Sequence, residues 1–182
     1  MTKWLLFAKK CLFVVLRDHA PKMPPVDRIQ QYMEAIGGRY PHVSCVAFAA
    51  DGLKLSIEPP ANDLKQQRFY NGWLHGHFIT NVLVFAADGT IPACALNAPG
   101  CLHDSTIADY GGIYDKLVQH VYETCGAKTV IDSAFSLQMG DCFLKSLQTD
   151  PINNPEAYMT NRQATSVRQL AACINCNRNS PE

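Results

Sequence analysis

The sequence predicts a single mixed α/β domain whose sheet is built from a three-strand meander, a helix and a fourth strand. Three observations carry that expectation. Two apolar runs between residues 77 and 100 flank Asp88-Gly89, a dipeptide that favours a hairpin because both central turn positions accept positive φ. From Asp104 a helical period begins, with Ile107, Ile113, Leu117 and Val121 near one face and Tyr110, Tyr114, Val118 and Tyr122 beside them. The runs "VSCVAFAADG" (43–52) and "KTVIDSAF" (128–135) have the length and composition of buried strands, and each reaches an acid, Asp51 or Asp132.

With 182 residues, 47% of them apolar, the chain can build one core and little more. Lys plus Arg and Asp plus Glu number 16 each, so no overall field steers it toward DNA. Contact with nucleic acid must come from a local patch or from a partner. The eight cysteines are irregularly spaced, and only Cys173 and Cys176 form a C-x-x-C. Without a second ligand pair nearby, reduced thiols in an intracellular protein are the better reading than a zinc site.

The apolar N-terminus "MTKWLLFAKKCLFVVLRDHA" is broken by Lys9-Lys10. Neither piece approaches the ~20 residues of a membrane span, so a short amphipathic helix is expected, with Leu5, Leu12 and Leu16 near one face. "PKMPP" (21–25) is a linker, since each Pro biases its predecessor out of the helical region. "VDRIQQYMEAIGG" is helical through its apolar positions 26, 29, 33 and 36, with a stop at Gly37-Gly38. The helix from Asp104 is weakened at Gly111-Gly112, by about 1 kcal/mol per glycine, and Cys125-Gly126 supplies a left-handed cap. Beyond the strand at 128–135, "QMGDCFLKSLQ" is expected to form a brief helix and "TDPINNPEAYMTNRQ" a loop. "ATSVRQLAACINC" has helical character, with Thr165 or Ser166 as its cap.

In the meander the third strand runs parallel to the first, and a right-handed crossover makes the fourth parallel as well. With the fourth strand beside the first, their carboxyl ends form a topological switch point, where α/β sheets place their sites. Asp51 and Asp132 occupy those ends, and Asp104 enters from the helix packed on the sheet. Carboxylates that converge without a compensating Lys or Arg repel one another unless a cation sits between them. Such oxygen ligands suit Mg²⁺ or Mn²⁺, and two ions roughly 4 Å apart can activate water and stabilise a phosphodiester's leaving oxygen. No G-x-S-x-G, P-loop or G-x-G-x-x-G offers a rival chemistry. Spacing alone leaves a structural reading open for each acid: Asp51-Gly52 as a turn, Asp104 as a helix N-cap, Asp132-Ser133 as the cap of a following turn. Asp88 reads as a turn residue and His103 as a satisfied or exposed histidine, and "HGH" (75–77) is weak as a metal site.

The blocks "AADGLKL", "FYNGWLHGHFITNVLVFAADGTI", "NAPGCLHDSTIADYGGIYDKL", "TVIDSAF" and "NRQATSVRQLA" follow one another in order. Together, across roughly residues 40 to 172, they resemble the DDE-superfamily endonuclease domain of Harbinger-type (PIF) transposases and their domesticated relatives. The resemblance implies a ribonuclease H-like mixed sheet with flanking helices, and a divalent cofactor, Mg²⁺ or Mn²⁺, serving DNA strand cleavage and joining. Carried over, Asp51 is the first catalytic acid and Asp132 the second, and Asp104 of the "H-D-S" block is a further metal ligand.

The same resemblance exposes a departure. In relatives "R-Q-x-A" leads into a glutamate and a tryptophan, the glutamate being the third acid. Here "RQLA" (168–171) runs into Ala172-Cys173, no carboxylate follows until Glu182, and Glu156 lies in a Pro- and Asn-rich loop that makes it a poor substitute. The expected organisation is an N-terminal helical segment and linker (1–40), an endonuclease domain (41–172) and a divergent tail (173–182), with the fold C-terminally incomplete and truncated at the catalytic helix. Loss of one acidic ligand should cost orders of magnitude in rate, so the expectation is an impaired nuclease. The alternative is a non-catalytic domesticated or remnant protein acting through DNA or protein contacts. Its DNA patch comprises Lys54, Lys65, Arg68, Arg162 and Arg168, with Tyr70 and Trp73 for stacking. DNA is the expected partner, a separate protein would supply sequence targeting, no stable membrane span is expected, and a functional copy would be nuclear. The oligomeric state stays open.

Overall fold

In a computed structural model, residues 3–17, 21–43, 45–132, 134–135 and 140–145 are described. The first half of the chain forms α1 (Lys3–Arg17), α2 (Val26–Arg39), a 3₁₀ turn at Pro41–Val43, β1 (Val46–Ser56), α3 (Asp63–Phe69), β2 (Tyr70–Asn71) and β3 (Gly76–Ala86). β4 (Ala93–Pro99), α4 (Asp104–Tyr110), α5 (Ile113–Leu117), a π turn at Val118–Tyr122, α6 (Glu123–Cys125) and β5 (Lys128–Ile131) follow. A 3₁₀ turn at Gly140–Cys142 and β6 (Phe143–Lys145) complete the described elements.

Asp88-Gly89 makes the hairpin its composition calls for. Gly89 takes φ 83°, and the Ala86 amide donates to the Thr90 carbonyl at 2.9 Å, closing the turn between β3 and β4. β3 pairs antiparallel with both β1 and β4, so β4 runs parallel to β1 as the meander requires. β5 lies parallel beside β1, and β6 lies parallel beyond β5. The main path of the sheet is β2-β3-β1-β5-β6, with β4 on the same side of β3 as the short β2. This six-stranded mixed sheet flanked by helices is compatible with a ribonuclease H-like fold.

The predicted helical face is the buried one. Ile107, Ile113, Leu117 and Val121 pack with Phe48, Val82, Val84 and Ala93 of the sheet and with Ile29 and Tyr32 of α2. Tyr110 departs from this pattern and is exposed, because the helix breaks directly after it. Gly112 takes φ 62° there, re-aiming the chain into α5, and Gly126 (φ 70°) caps α6 as expected. A Cβ at Gly111 would stand 2.5 Å from the Ala95 methyl, so that glycine also lets the helix approach β4.

Three local expectations are corrected. Asp51-Gly52 is not a turn: β1 continues to Ser56 because β3 pairs with it throughout, Asp51 opposite Leu83 and Gly52 opposite Val82. α2 runs past Gly37-Gly38 to Arg39, and the Tyr40 amide donates to the Ile36 carbonyl at 2.7 Å. That end is held by a small second core of Ile36, Val43, Val46, Ala49 and Val130. Residues 140–145 form a turn and a strand rather than a helix, since Phe143 pairs with Thr129 and buries its ring in the core. The loop expected at 149–163 and the helix expected at 164–176, with Glu156, Thr165, Ser166, Cys173 and Cys176, lie outside the described residues. α1 is helical as expected, with Trp4, Leu5, Phe7 and Leu12 exposed. Among the described residues no helix is long and apolar enough to cross a membrane.

α2 is tied to the hairpin through one carboxylate. Tyr32 Oη donates to Asp88 Oδ2 at 2.7 Å, Arg28 Nη2 approaches the same oxygen at 3.2 Å, and Thr90 donates to Oδ1. These donors, Tyr32 foremost, hold the Asp88 carboxyl well below the usual carboxylate range. A depressed pKa contributes stability above the unfolded value of about 3.9, and that contribution fades as pH falls below it. Tyr32→Phe should therefore cost about 1 kcal/mol at pH 7, a modest value for a tie this open to solvent, and clearly less at pH 3. Urea unfolding at the two pH values checks this, and an equal gap at both would rule out a charge-dependent tie.

Candidate functional site

The parallel ladder between β1 and β5 ends with Ala50 opposite Ile131, so Asp51 and Asp132 are the next residues in register. Neighbouring strands lie about 5 Å apart, so the two acids leave the ladder from adjacent backbone positions. Asp51 is half-buried within β1, and its Oδ1 accepts from the Gly52 amide at 2.7 Å. Asp132, the first residue beyond β5, is exposed. Its Oδ1 accepts from the Ala134 amide at 2.8 Å, so it also caps the turn that leaves the strand. The turn-cap role read for Asp132 is present.

Asp104 is held differently. The N-cap position of α4 belongs to His103, which is exposed and makes no side-chain cap bond, so Asp104 is the first helical residue rather than the cap. Its carboxylate is 5% exposed with the residue and accepts from Lys54 Nζ at 3.0 and 3.1 Å, one bond to each oxygen. Gly52 makes the contact possible, because a Cβ there would overlap the Asp104 carboxylate. Gly52 and Lys54 are two residues apart and share one face of β1, whereas Asp51 points to the other. Thr80, opposite Lys54 in the ladder, has a fully buried hydroxyl without a hydrogen-bond partner on that same polar spot.

The structure thus puts Asp51 and Asp132 each one residue past the last β1–β5 pair and gives Asp104 a lysine. Among the described residues no three His, Cys, Asp or Glu side chains gather into a group that could hold a metal. The Asp51–Asp132 donor set nonetheless fits a hard divalent cation. Two carboxylates on adjacent strands present oxygens only, as Mg²⁺ and Mn²⁺ prefer, and those ions keep several waters of their own. Sequence reasoning placed Lys54 in a DNA patch and did not foresee its bond to Asp104. The usable signal was D-G-x-K in a strand, which puts Gly52 and Lys54 on one face.

The remaining basic residues stand elsewhere. Lys65 and Arg68 are exposed on α3, a helix capped by Asn62 that buries none of its residues. Beside it the "YNGW" block presents Trp73, 89% exposed, and Tyr70. Asn71 organises that loop: its Oδ1 accepts from the Trp73 and Leu74 amides at 3.1 and 3.0 Å, and its Nδ2 donates to the Gly100 carbonyl at 2.8 Å. Gly100 is pinched between the Phe69 and Phe78 carbonyls, where any Cβ would collide with backbone. His75 is exposed, and His77 stacks edge-on with Tyr70 at 5.4 Å. Arg162 and Arg168 lie outside the described residues.

A family model described as DDE superfamily endonuclease matches residues 50–178, more than two thirds of the chain. The match begins one residue before Asp51 and spans Asp104 and Asp132. No curated protein and no solved structure matches the chain significantly.

Proposed function

The chain belongs to the DDE superfamily endonucleases, and from that premise we propose that it is a Harbinger-type domain, binding Mg²⁺ or Mn²⁺ through Asp51 and Asp132 and acting on DNA phosphodiesters. Family membership indicates a transposase-derived nuclease with DNA as its substrate. The observation that supports the finer reading is the parallel β1–β5 ladder, whose last pair, Ala50 and Ile131, stands one residue before each acid.

A bound divalent cation would supply charge stabilisation to the scissile phosphate and a more acidic water. The chain's own residues supply placement. Asp51 is fixed by a strand paired on both sides, and Asp132 by its own turn. Asp104, bonded to Lys54 across Gly52, steadies the stretch of β1 next to Asp51 from the other face of the strand, and as a further metal ligand it would have to give up Lys54. The position that follows "RQLA" holds Ala172-Cys173 rather than a glutamate, so cleavage is impaired by orders of magnitude. Sequence targeting falls to a separate protein, and the site of action is the nucleus.

Slow, Mn²⁺-dependent nicking of supercoiled plasmid is the expected activity. Asp51→Asn should reduce it at least tenfold, about the loss expected when a charged group at the reacting centre goes. Nicking that Asp51→Asn leaves unchanged would assign the activity to something else.

A second reading, DNA contact without catalysis, is favoured by Trp73 on its Asn71-braced loop beside Lys65 and Arg68. Lys65→Glu/Arg68→Glu should then weaken single-stranded DNA binding at least tenfold and flatten its salt dependence by about 1.4, at roughly 0.7 per phosphate contact. Unchanged affinity would reject the patch.

A further inference from the structure

A cavity of about 350 Å³ lies between the linker before α2, the start of β4 and the outer side of α5 with its π turn. Lys22, Lys116 and His120 line it, over a floor that includes Met23, Pro92 and Cys94. Among the described residues, no carboxylate lines the cavity. None of the three basic side chains has a hydrogen-bonding or ion-pairing partner among the described residues. In a chain with equal numbers of acidic and basic residues, this is a local excess of positive charge around a pocket open to solvent.

We infer that this cavity is a binding site for a phosphate monoester. Lysines brought to one cavity repel each other unless an anion sits between them, and a dianionic phosphate satisfies two lysines where a carboxylate satisfies one. Lys116 near the end of α5 and His120 in the π turn that follows are about one turn apart, and both line the pocket. The apolar floor receives the ester's organic group, and the volume is at the small end of ligand pockets, roughly 300–1,000 Å³. Two sources share this chemistry: a free nucleoside monophosphate and the 5′-phosphate end of a nucleic-acid strand. The cavity is separate from the acid pair, since Cys94 lies across Leu83 from Asp51, two strand spacings away.

Cys94 gives the site its own reporter. The full chain is labelled with a maleimide in EDTA, and the labelling of each cysteine is followed by peptide mass spectrometry. The probes are adenosine 5′-monophosphate, adenosine, and a short oligonucleotide with a 5′-phosphate or a 5′-hydroxyl. The monophosphate or the 5′-phosphorylated strand should slow labelling of Cys94 about tenfold near ninefold saturation, by mass action, while exposed Cys101 reacts as before. Whichever of the two protects at lower concentration identifies the source. Lys22→Gln/Lys116→Gln should abolish protection, with buried Cys142 still unreactive as proof of folding. Asp51→Asn/Asp132→Asn should leave protection intact. The assignment is overturned if neither phosphate probe protects Cys94, if adenosine protects equally, or if the double lysine variant keeps its protection.

Discussion

Lys54→Met is expected to lower stability by about 2–4 kcal/mol, well beyond the usual effect of changing a partly exposed lysine. Asp104 is almost wholly buried and its two oxygens both accept from Lys54 Nζ, so the substitution strands a carboxylate away from water. Removing one partner of a fully buried pair costs about 3–5 kcal/mol, and the 28% exposure of the Lys54 side chain brings that down. Asp104→Asn should cost much less, about 1 kcal/mol, because the neutral amide still accepts a bond and the lysine can reach solvent. Lys54→Met/Asp104→Leu should recover most of the loss, since replacing both charges leaves nothing stranded. Urea unfolding of the four chains decides the matter. A loss below about 1 kcal/mol for Lys54→Met would mean that water screens the pair.

The second large effect falls on the acid pair and has opposite signs for stability and activity. Without a cation, carboxylates one residue beyond the last β1–β5 pair are expected to repel, so Asp51→Asn/Asp132→Asn should stabilise the metal-free chain by about 1 kcal/mol. Asparagine caps turns as well as aspartate does, so the Asp132 turn should survive the change. The same variant should lose any rise in melting temperature on adding Mn²⁺, because stabilisation by a ligand requires binding to the folded state. Nicking should fall with it. Thermal unfolding with and without Mn²⁺ reads both effects, and a variant less stable than the parent chain in EDTA would give the two acids a structural role.

What was legible in the sequence was local. Asp88-Gly89 announced the hairpin through turn chemistry, Ile107, Ile113, Leu117 and Val121 announced a buried face through their period, and Asp51 and Asp132 stood out as acids following apolar runs. What was not legible depended on distant partners. β1 passes through Asp51-Gly52 because β3 pairs with it there, which no property of the dipeptide reveals. Lys54 and Asp104 are 50 residues apart and meet only once α4 packs over Gly52. β6 forms because β5 offers it an edge, although Phe143-Leu144-Lys145 alone is too short to show a period. The ordered blocks of residue types reached further than periodicity did, since they named the family that residues 50–178 match.

The most direct measurement of the central claim is a calorimetric titration of Mn²⁺ into the full chain, with Asp51→Asn/Asp132→Asn alongside. The parent chain should bind the ion weakly and the double variant should not bind it. Equal heats from both chains, or none from either, would contradict a metal site at this pair of acids.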